Sequence, residues 1–348
     1  MLFANAPTPH CFFLLHQFGP ALACAMQNPP VVGALHCPDV SRYVLFYGSK
    51  LVATAFRTAR LFLALTILFA IPSQAQTTLA AKLRATRTSP LDLELAGDLA
   101  NLPANSTRYL TREDLLSLPQ TNLTATTDTN FTTPTKITGI ALQELTLQLA
   151  AAPNSDLTIA ICGDQYRANF PDAYINAHHP VLVLKINGQP PSGWPKDSEG
   201  HHADMGPYLI SQPDFVPSFK ILANPEEPQN PWGVIRLEFR DESTVFRPIA
   251  PPGPQAQDQQ VQTGYRVAQQ NCFRCHNMGN EGGQKAGRPW LVLSAWATAQ
   301  PNYLAAYVHN PKQKNPNAQM PSFPEYDDAT LRALIAYFQT FTTPREKP

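Results

Sequence analysis

Between residues 89 and 245, short apolar runs alternate with segments rich in polar residues, Gly and Pro. Three of the runs carry many β-branched residues and are bounded by turn residues, which predicts β-strands at 157–161, 181–186 and 234–239. Residues 91–95 read Leu-Asp-Leu-Glu-Leu. This strict alternation predicts a further strand with one buried face.

Two helical stretches lie among these strands. Thr111 precedes Arg-Glu-Asp and is expected to cap a short helix that ends before Pro119. A second helix is predicted for residues 140–150. This order of strands and helices predicts an α+β domain with a mixed sheet over residues 89–245.

The C-terminal part of the chain, residues 261–348, is expected to be helical. Its first predicted helix covers 261–271, and Gly264 marks a point where another helix can cross closely. A second helix is predicted for 301–310. Two acidic residues at 327–328 open the last helix. The apolar residues of that helix share one face: Leu331, Leu334, Ile335, Phe338 and Phe341.

Composition and charge narrow the class of protein. A hydrophobic content of 43% over 348 residues excludes wholesale disorder, and 26 basic against 26 acidic residues exclude a strongly basic, nucleic-acid-binding surface. The neutral total hides an asymmetry. Residues 76–254 carry 13 basic and 19 acidic side chains, net −6, whereas residues 255–348 carry 9 and 6, net +3. Between the two domains, residues 246–260 are dense in Pro and Gln and predict a semi-rigid linker.

The first 75 residues are predicted not to belong to the fold. An eleven-residue run at 61–71, apolar except for one Thr, follows two arginines and precedes Ser73 and Ala75, the small residues expected before a cleavage site. We expect a signal peptide at 52–75 and an untranslated or unstructured extension at 1–51, with translation starting near their boundary. A short buried helix and an uncleaved anchor are the alternatives. The signal predicts a periplasmic or otherwise exported protein without a stable membrane span after cleavage.

The candidate chemistry lies beyond the linker, in Cys272-Phe-Arg-Cys275-His276. Two cysteines separated by two residues and followed by His are typical of a haem c attachment site. Thiols one helical turn apart can each add to a haem vinyl group, and the next residue then presents its imidazole to the iron. A redox-active dithiol and half of a zinc site are the alternatives, although no second Cys pair completes a four-ligand zinc site.

Over residues 258–342 the chain resembles a class I, mono-haem cytochrome c. Helix, Cys-x-x-Cys-His, loop, helix, Met-Pro loop and terminal helix come in that family's order. The resemblance implies one covalent haem c, with iron ligated by His276 and Met320. Met320 as a packed loop anchor, or His309 as the second ligand, are the alternatives, whereas Met278 follows His276 too closely. Ligands on both faces of the haem favour electron transfer over oxygen or peroxide chemistry.

Residues 89–240 resemble a shortened sulfite oxidase-like molybdopterin-binding domain. The resemblance lies in the order of several weak motifs: a strand and Gly at 93–97, a helix and Leu-Pro at 109–119, a helix entry at 137–145, a strand end at 161–166, an Asn-Gly-x-Pro turn at 184–190 and a Gly-Pro strand at 206–210. It implies an α+β fold with a mixed sheet.

The chain departs from that family at one decisive residue. The family's molybdenum is held by a Cys that follows the strand after the Leu-Pro element, and here that strand, 121–129, contains no Cys. Cys162 lies in a different element and is expected to be a buried, inert thiol. The basic and His residues that clasp the pterin phosphate are not evident either. We therefore expect a cofactor-free or repurposed domain, without molybdopterin.

Two pairs of adjacent histidines, at 178–179 and 201–202, lie near Asp204 in the same domain. Solvated loop histidines are the simpler interpretation of this cluster. A transition-metal or substrate site is the alternative, with at most one ligand from each pair because adjacent side chains point apart.

These patterns predict an exported mono-haem cytochrome c that transfers single electrons, with an acidic domain that serves docking or assembly. We expect an electron carrier rather than a catalyst, with a redox partner protein as donor or acceptor. Two alternatives stay open. One is a molybdopterin-dependent, sulfite-dehydrogenase-like oxidoreductase with a fused haem c, and the other is a module that senses a small ligand and reports it through the haem.

Overall fold

The structure, a computed structural model, describes residues 79–150, 154–196 and 204–342. The expected signal peptide and the N-terminal extension lie outside these residues. Within them the predicted architecture is confirmed, because an α+β domain with a mixed sheet is followed by a helical domain. No helix in the described ranges is long and apolar enough to cross a membrane.

The described residues of the first domain form one nine-stranded sheet. Its strands are β1 (Leu93–Gly97), β2 (Arg108–Leu110), β3 (Thr121–Ala125), β4 (Thr135–Ala141), β5 (Leu157–Cys162), β6 (Arg167–Pro171), β7 (Val181–Ile186), β8 (Tyr208–Ser211) and β11 (Trp232–Arg240). They follow the order β2-β1-β11-β8-β7-β4-β3, and β5 pairs with both β11 and β6. The pair β1 and β11 is parallel and the other pairs are antiparallel.

Three short helices cover one face of this sheet: α1 (Arg112–Leu116), α2 (Leu142–Leu149) and α3 (Asp172–His178). A fourth, α4 (Glu242–Phe246), packs in a separate apolar cluster. As predicted, Thr111 caps α1, and the Asp114 side chain completes a reciprocal capping box. The second helix is shorter than the predicted 140–150. Its first two residues extend β4 instead, where Ala141 pairs with Val181 of β7, so sheet pairing outweighs helix propensity at that point.

The second domain contains the helices α5 (Gln259–Val267), α6 (Trp290–Ala299), α7 (Pro301–His309), α8 (Pro311–Lys314) and α9 (Asp328–Gln339). A small hairpin accompanies them, β12 (Asn277–Met278) with β13 (Glu281–Gly282). Another hairpin, β9 (Lys220–Ile221) with β10 (Asn224–Pro225), lies before β11 in the first domain. Helix α6 is absent from the prediction, because its sequence, Trp-Leu-Val-Leu-Ser-Ala-Trp, has no polar face that would reveal a 3.6-residue period.

Gly264 allows α5 and α9 to cross in direct backbone contact. A Cβ at this position would lie 2.0 Å from the carbonyl oxygen of Ala333. The close crossing predicted from the sequence is therefore present. It brings α9 against the helix that leads into the haem motif.

The strand β5 is buried on both faces. Ala160 and Cys162 face the core that the sheet forms with α1, α2 and α3. Leu157 and Ile159 belong instead to a second apolar cluster that includes the helices of the C-terminal domain. A strand covered on both sides does not alternate between apolar and charged residues, and residues 157–162 are apolar except for one Thr.

The Pro- and Gln-rich segment does not hold the domains apart. It forms two 3-10 turns, Arg247–Ile249 and Pro254–Gln257. Ile249 is buried in the cluster shared by the two domains, and its carbonyl oxygen accepts a hydrogen bond from the Tyr337 hydroxyl of α9. Within the described residues, both domains belong to one compact unit.

Candidate haem-binding site

The Cys-x-x-Cys-His motif is a closed turn at the end of α5. The helix continues through a π-helical turn, Ala268–Cys272. The backbone N–H groups of Cys275 and His276 then both donate to the carbonyl oxygen of Cys272, at 3.2 and 2.9 Å. This turn places the two cysteines one turn apart, the spacing that attachment to two vinyl groups requires.

Phe273, between the two cysteines, fastens the turn to the protein interior. Its side chain is fully buried. Its ring lies 5.6 Å from the ring of Trp290 in an edge-on contact, and 5.7 Å from the ring of Phe246 in the first domain. The motif therefore packs on both domains through a single aromatic side chain.

His276 is oriented as a metal ligand. Only 8% of the residue is exposed, and its Nδ1 lies 2.6 Å from the carbonyl oxygen of Arg288. Because a carbonyl only accepts, Nδ1 carries the proton and the lone pair is on Nε2. Burial lowers the pKa of the imidazole, which keeps it in the neutral form that binds iron. Sequence reasoning did not single out Arg288, since no local signal marks a carbonyl as a partner of a residue twelve positions earlier.

The thiols of Cys272 and Cys275 are half-buried and unpaired. Burial raises the pKa of Cys272 to about 12 and also raises the pKa of Cys275, so both are held as thiols. In the described ranges no three His, Cys, Asp or Glu side chains are grouped so that they could hold a metal ion. Two thiols, an oriented imidazole and a thioether downstream are a donor set that fits haem c.

Met320 is half-buried at a bend in the loop between α8 and α9. This loop is tied to the end of α7 at two points. The N–H of Phe323 donates to the carbonyl oxygen of Val308 at 3.3 Å, and His309 Nε2 lies 3.1 Å from the carbonyl oxygen of Pro324. His309 is therefore engaged in positioning the loop that carries Met320. The assignment of Met320 as a ligand stays a prediction.

The turn between β5 and β6 covers the outer side of the haem motif. The N–H of Arg167 donates to the carbonyl oxygen of Arg274 at 2.9 Å, and the N–H of Gln284 donates to the carbonyl oxygen of Gln165 at 3.0 Å. A Cβ at Gly283 would lie 1.8 Å from the Arg274 oxygen, so the loop after the motif needs Gly there. Here the two domains are joined by direct hydrogen bonds between their backbones.

Beside these bonds the interface has two chemically different halves. In what we call the apolar half, residues of β5, of α4 and of the segment that follows α4 pack on the helices: Leu157, Ile159, Val245, Phe246 and Ile249. In the charged half, Glu281 of the second domain accepts from Arg167 Nη2 at 2.9 Å and from Arg240 Nη2 at 2.6 Å. At its rim, Lys285 Nζ lies 2.8 Å from Asp164 Oδ2.

Cys162 is buried in β5, as expected. Burial raises the pKa of its thiol, which therefore stays protonated and unreactive. Strand β3, after which the sulfite oxidase-like family has its molybdenum-binding Cys, is separated from β5 by four other strands along the sheet. Cys162 cannot reach that position within this fold.

The histidine pairs are only partly described, because residues 201–203 lie outside the described ranges. His179 is exposed, in agreement with a solvated loop histidine. For His178 that interpretation is wrong. Its ring is buried in α3, where Nε2 lies 3.0 Å from Glu226 Oε2 and the ring contacts Tyr174 and Phe215. Asp204 is exposed and pairs with Lys196.

Comparison with known proteins supports the second domain. Residues 259–338 match the family model described as cytochrome C oxidase, cbb3-type, subunit III. Among solved structures, the sulfane dehydrogenase SoxCD from Paracoccus pantotrophus is similar at 19% sequence identity with a TM-score of 0.30, covering 45% of this chain and 40% of that chain. No curated protein matches the chain. The family match, together with the geometry of the Cys-x-x-Cys-His turn, identifies residues 259–338 as a cytochrome c domain, a carrier of electrons through haem.

Proposed function

We propose that the chain is an exported electron carrier with one covalent haem c, attached through Cys272 and Cys275 and ligated by His276 and Met320. When bound, haem supplies reversible one-electron chemistry at its iron. The observation that carries the proposal is the hydrogen bond from His276 Nδ1 to the Arg288 carbonyl oxygen at 2.6 Å. It fixes the tautomer and turns Nε2, the ring's other nitrogen, into the ligand atom.

The remaining residues set the conditions for electron transfer. Phe273 and Trp290 exclude water from the inner side of the motif, since both side chains are fully buried. A thioether ligand disfavours ferric iron, so Met320 is expected to raise the reduction potential. The bonds from His309 and Phe323 hold its loop in place.

The first domain acts as a support for the haem segment in this proposal. It contacts the motif through backbone bonds, ion pairs and an apolar cluster. A redox partner therefore approaches the haem from the side that the first domain does not cover. Two exposed lysines, Lys312 and Lys314, precede the Met320 loop and favour a partner with an acidic surface.

The absence of Cys from β3 and the burial of Cys162 support a first domain without molybdopterin. Iron and molybdenum content per mature chain tests this part of the proposal. We expect one iron and no molybdenum in protein matured in a periplasm that attaches haem c. Near-stoichiometric molybdenum would instead show a molybdopterin-dependent oxidoreductase, with sulfite as the first substrate to try.

Replacement of Met320 by Ala tests the iron ligands. We expect the variant to have a lower reduction potential and to bind added imidazole or cyanide, because one axial position is opened. Met278→Ala is the matched control, since that side chain is equally half-buried in β12. If Met320→Ala changed neither the potential nor ligand binding, Met320 would not be the ligand.

A further inference from the structure

One side of helix α6 (Trp290–Ala299) is apolar although it is open to solvent. On the other side, Trp290, Leu293 and Ala297 are buried in the apolar cluster to which α9 also belongs. The open side has four exposed residues and two half-buried ones, which are Leu291, Ala295, Thr298 and Ala299, and Val292 and Trp296, respectively. A helix that is apolar all round is normally buried, so this side indicates a surface that another molecule covers.

Aromatic side chains extend this open side onto α7. The Trp296 ring contacts the rings of Tyr303 and Tyr307 edge-on, with centroids 5.7 and 5.8 Å apart. Tyr303 is 36% exposed and Leu291 is 55% exposed. We call the surface formed by Leu291, Ala295, Trp296 and Tyr303 the α6 face. Its composition is that of the centre of a protein interface, where aromatic side chains are enriched.

The C-terminal residues that follow α9 are too polar to cover the α6 face. They leave the structure beside it, because the hydroxyl of Thr342 lies 2.7 Å from that of Thr298 in α6. Residues 343–348 then read Thr-Pro-Arg-Glu-Lys-Pro, with no large apolar side chain to pack on Leu291. This points to an occupant outside the chain.

The charge around the α6 face is one-sided. Residues 282–324, which include α6, α7 and the loop before α9, contain four basic residues and no acidic one. Lys285 pairs with the first domain. The other three are exposed and form no ion pair with any described residue: Arg288, Lys312 and Lys314. An apolar surface among unpaired positive charges is complementary to a partner whose own apolar patch is bordered by carboxylates.

The α6 face is also in contact with the residue that orients the iron ligand. The carbonyl oxygen of Arg288 accepts the hydrogen bond from His276 Nδ1 at 2.6 Å. The guanidinium group of the same residue lies 5.0 Å from the centroid of the Trp296 ring. One residue therefore links the ring on the α6 face to the histidine that is expected to bind iron.

We propose that the α6 face is the docking surface for the redox partner, a protein that presents an apolar patch bordered by acidic side chains. This role rests on the proposed function, because it specifies the surface through which the same electron is transferred. A small interface suits a partner that binds briefly and leaves. A membrane fits less well, since Leu291 is the only large side chain of the α6 face that is more than half exposed, and interfacial helices insert a whole apolar face.

Electron transfer from the mature haem-containing protein to an acidic blue-copper protein tests the proposal. In each event ferrous haem loses one electron and becomes ferric, and Cu(II) gains that electron and becomes Cu(I). Stopped-flow absorbance gives the second-order rate constant, which should fall as the ionic strength rises. Hexacyanoferrate(III) in about 0.5 M salt is the reference oxidant, because it is small and its charge is screened there.

Leu291→Glu and Ala295→Glu each place a carboxylate on the α6 face. Both should lower the rate constant with the copper protein about tenfold or more, because the new carboxylate repels those of the probe and interrupts the apolar contact. Leu147→Glu is the matched control, since Leu147 is 75% exposed on α2 of the first domain, and this variant should react as the wild type does. The haem absorbance and the rate with hexacyanoferrate(III) should be the same in all four proteins.

Equal rate constants for Leu291→Glu and Leu147→Glu with the copper protein would overturn the proposal. A wild type that reduced hexacyanoferrate(III) but not the copper protein would do so as well. Self-association of the wild type, abolished in Leu291→Glu, would show in sedimentation that a second copy covers the α6 face instead. Binding to phosphatidylglycerol vesicles that the same substitution abolishes would assign it to a membrane. A haem that reduced neither oxidant would contradict the proposed function itself, so the two failures are distinguishable.

Discussion

The apolar and the charged halves of the domain interface hold the same two domains together by different physics. The apolar half removes leucine, isoleucine and phenylalanine side chains from water and depends little on direction. The charged half places Glu281 between Arg167 and Arg240, where the gain from pairing is largely offset by the loss of hydration. We infer that the apolar half provides most of the stability. The charged half, with its backbone bonds, fixes how the domains are aligned.

The largest expected effect is in the apolar half. Ile159→Ala should lower the free energy of unfolding by about 2–5 kcal/mol, because the fully buried side chain leaves a cavity between the domains. Urea denaturation followed by both far-UV circular dichroism and haem absorbance measures it. The two signals should shift together, since Ile159 belongs to a cluster that both domains share.

Leu147→Ala is the control for that substitution, because the Leu147 side chain is 75% exposed on α2. Leu147→Ala should leave the midpoint of urea denaturation nearly unchanged. A haem signal that kept its midpoint in Ile159→Ala while the dichroism signal shifted would show that the domains unfold separately.

The next effect is in the charged half. Glu281→Gln keeps the shape of the side chain but leaves the buried Arg167 and the partly buried Arg240 without their shared carboxylate. We expect a loss of about 1–3 kcal/mol in the free energy of unfolding, smaller than that for Ile159→Ala. Glu325→Gln, at an exposed position, is the comparison in the same denaturation experiment. A loss for Glu281→Gln larger than for Ile159→Ala would reverse the assignment of roles to the two halves.

The rim of the charged half should contribute least. Lys285 and Asp164 are each about two-fifths exposed, so their ion pair is solvated and screened. Lys285→Gln should lower the free energy of unfolding by roughly 0.5 kcal/mol at low ionic strength and leave it unchanged in about 1 M salt. Unfolding midpoints at the two salt concentrations check this. A loss of stability that persisted in high salt would show that the ion pair is shielded from solvent like the buried contacts.

One substitution near the apolar half should be stabilising. Burial, with the nearby carboxylates of Asp156 and Asp172, raises the pKa of Glu242 at the start of α4. A raised pKa in the folded state means that stability is lost as the pH rises through it. Glu242→Gln should therefore stabilise the protein by up to about 0.5 kcal/mol at pH 7, but not at a pH below the pKa of the unfolded chain. Melting temperatures at the two pH values, against Glu325→Gln, would show the difference.

The sequence predicted those features that depend on neighbours in the chain. The strand at residues 181–186, the cap at Thr111 and the close crossing at Gly264 all agree with the structure. Each is determined by local periodicity, by side-chain chemistry at a helix end or by the absence of a Cβ. The turn at the haem motif could be predicted from the sequence for the same reason.

The interface could not be predicted in this way, because its contacts join residues far apart in the chain. Nothing near Glu281 indicates that Arg167, 114 positions earlier, is its partner. Ile249 is buried although the Pro and Gln around it are typical of a linker. One signal was present in retrospect. Residues 157–162 are apolar or uncharged at every position, and an α+β sheet with one solvated face would have alternated there.

The burial of β5 on both faces also has a consequence for the maturation of the chain. Leu157 and Ile159 are synthesised before the helices that cover them. A nascent chain therefore exposes this apolar face of β5 until about the last hundred residues have been synthesised. Those helices pack around Phe273, the residue between the two attachment cysteines. The helices that carry the haem motif thus also shield the first domain, and a chain that ends before them would leave this face of β5 open to aggregation and to proteases.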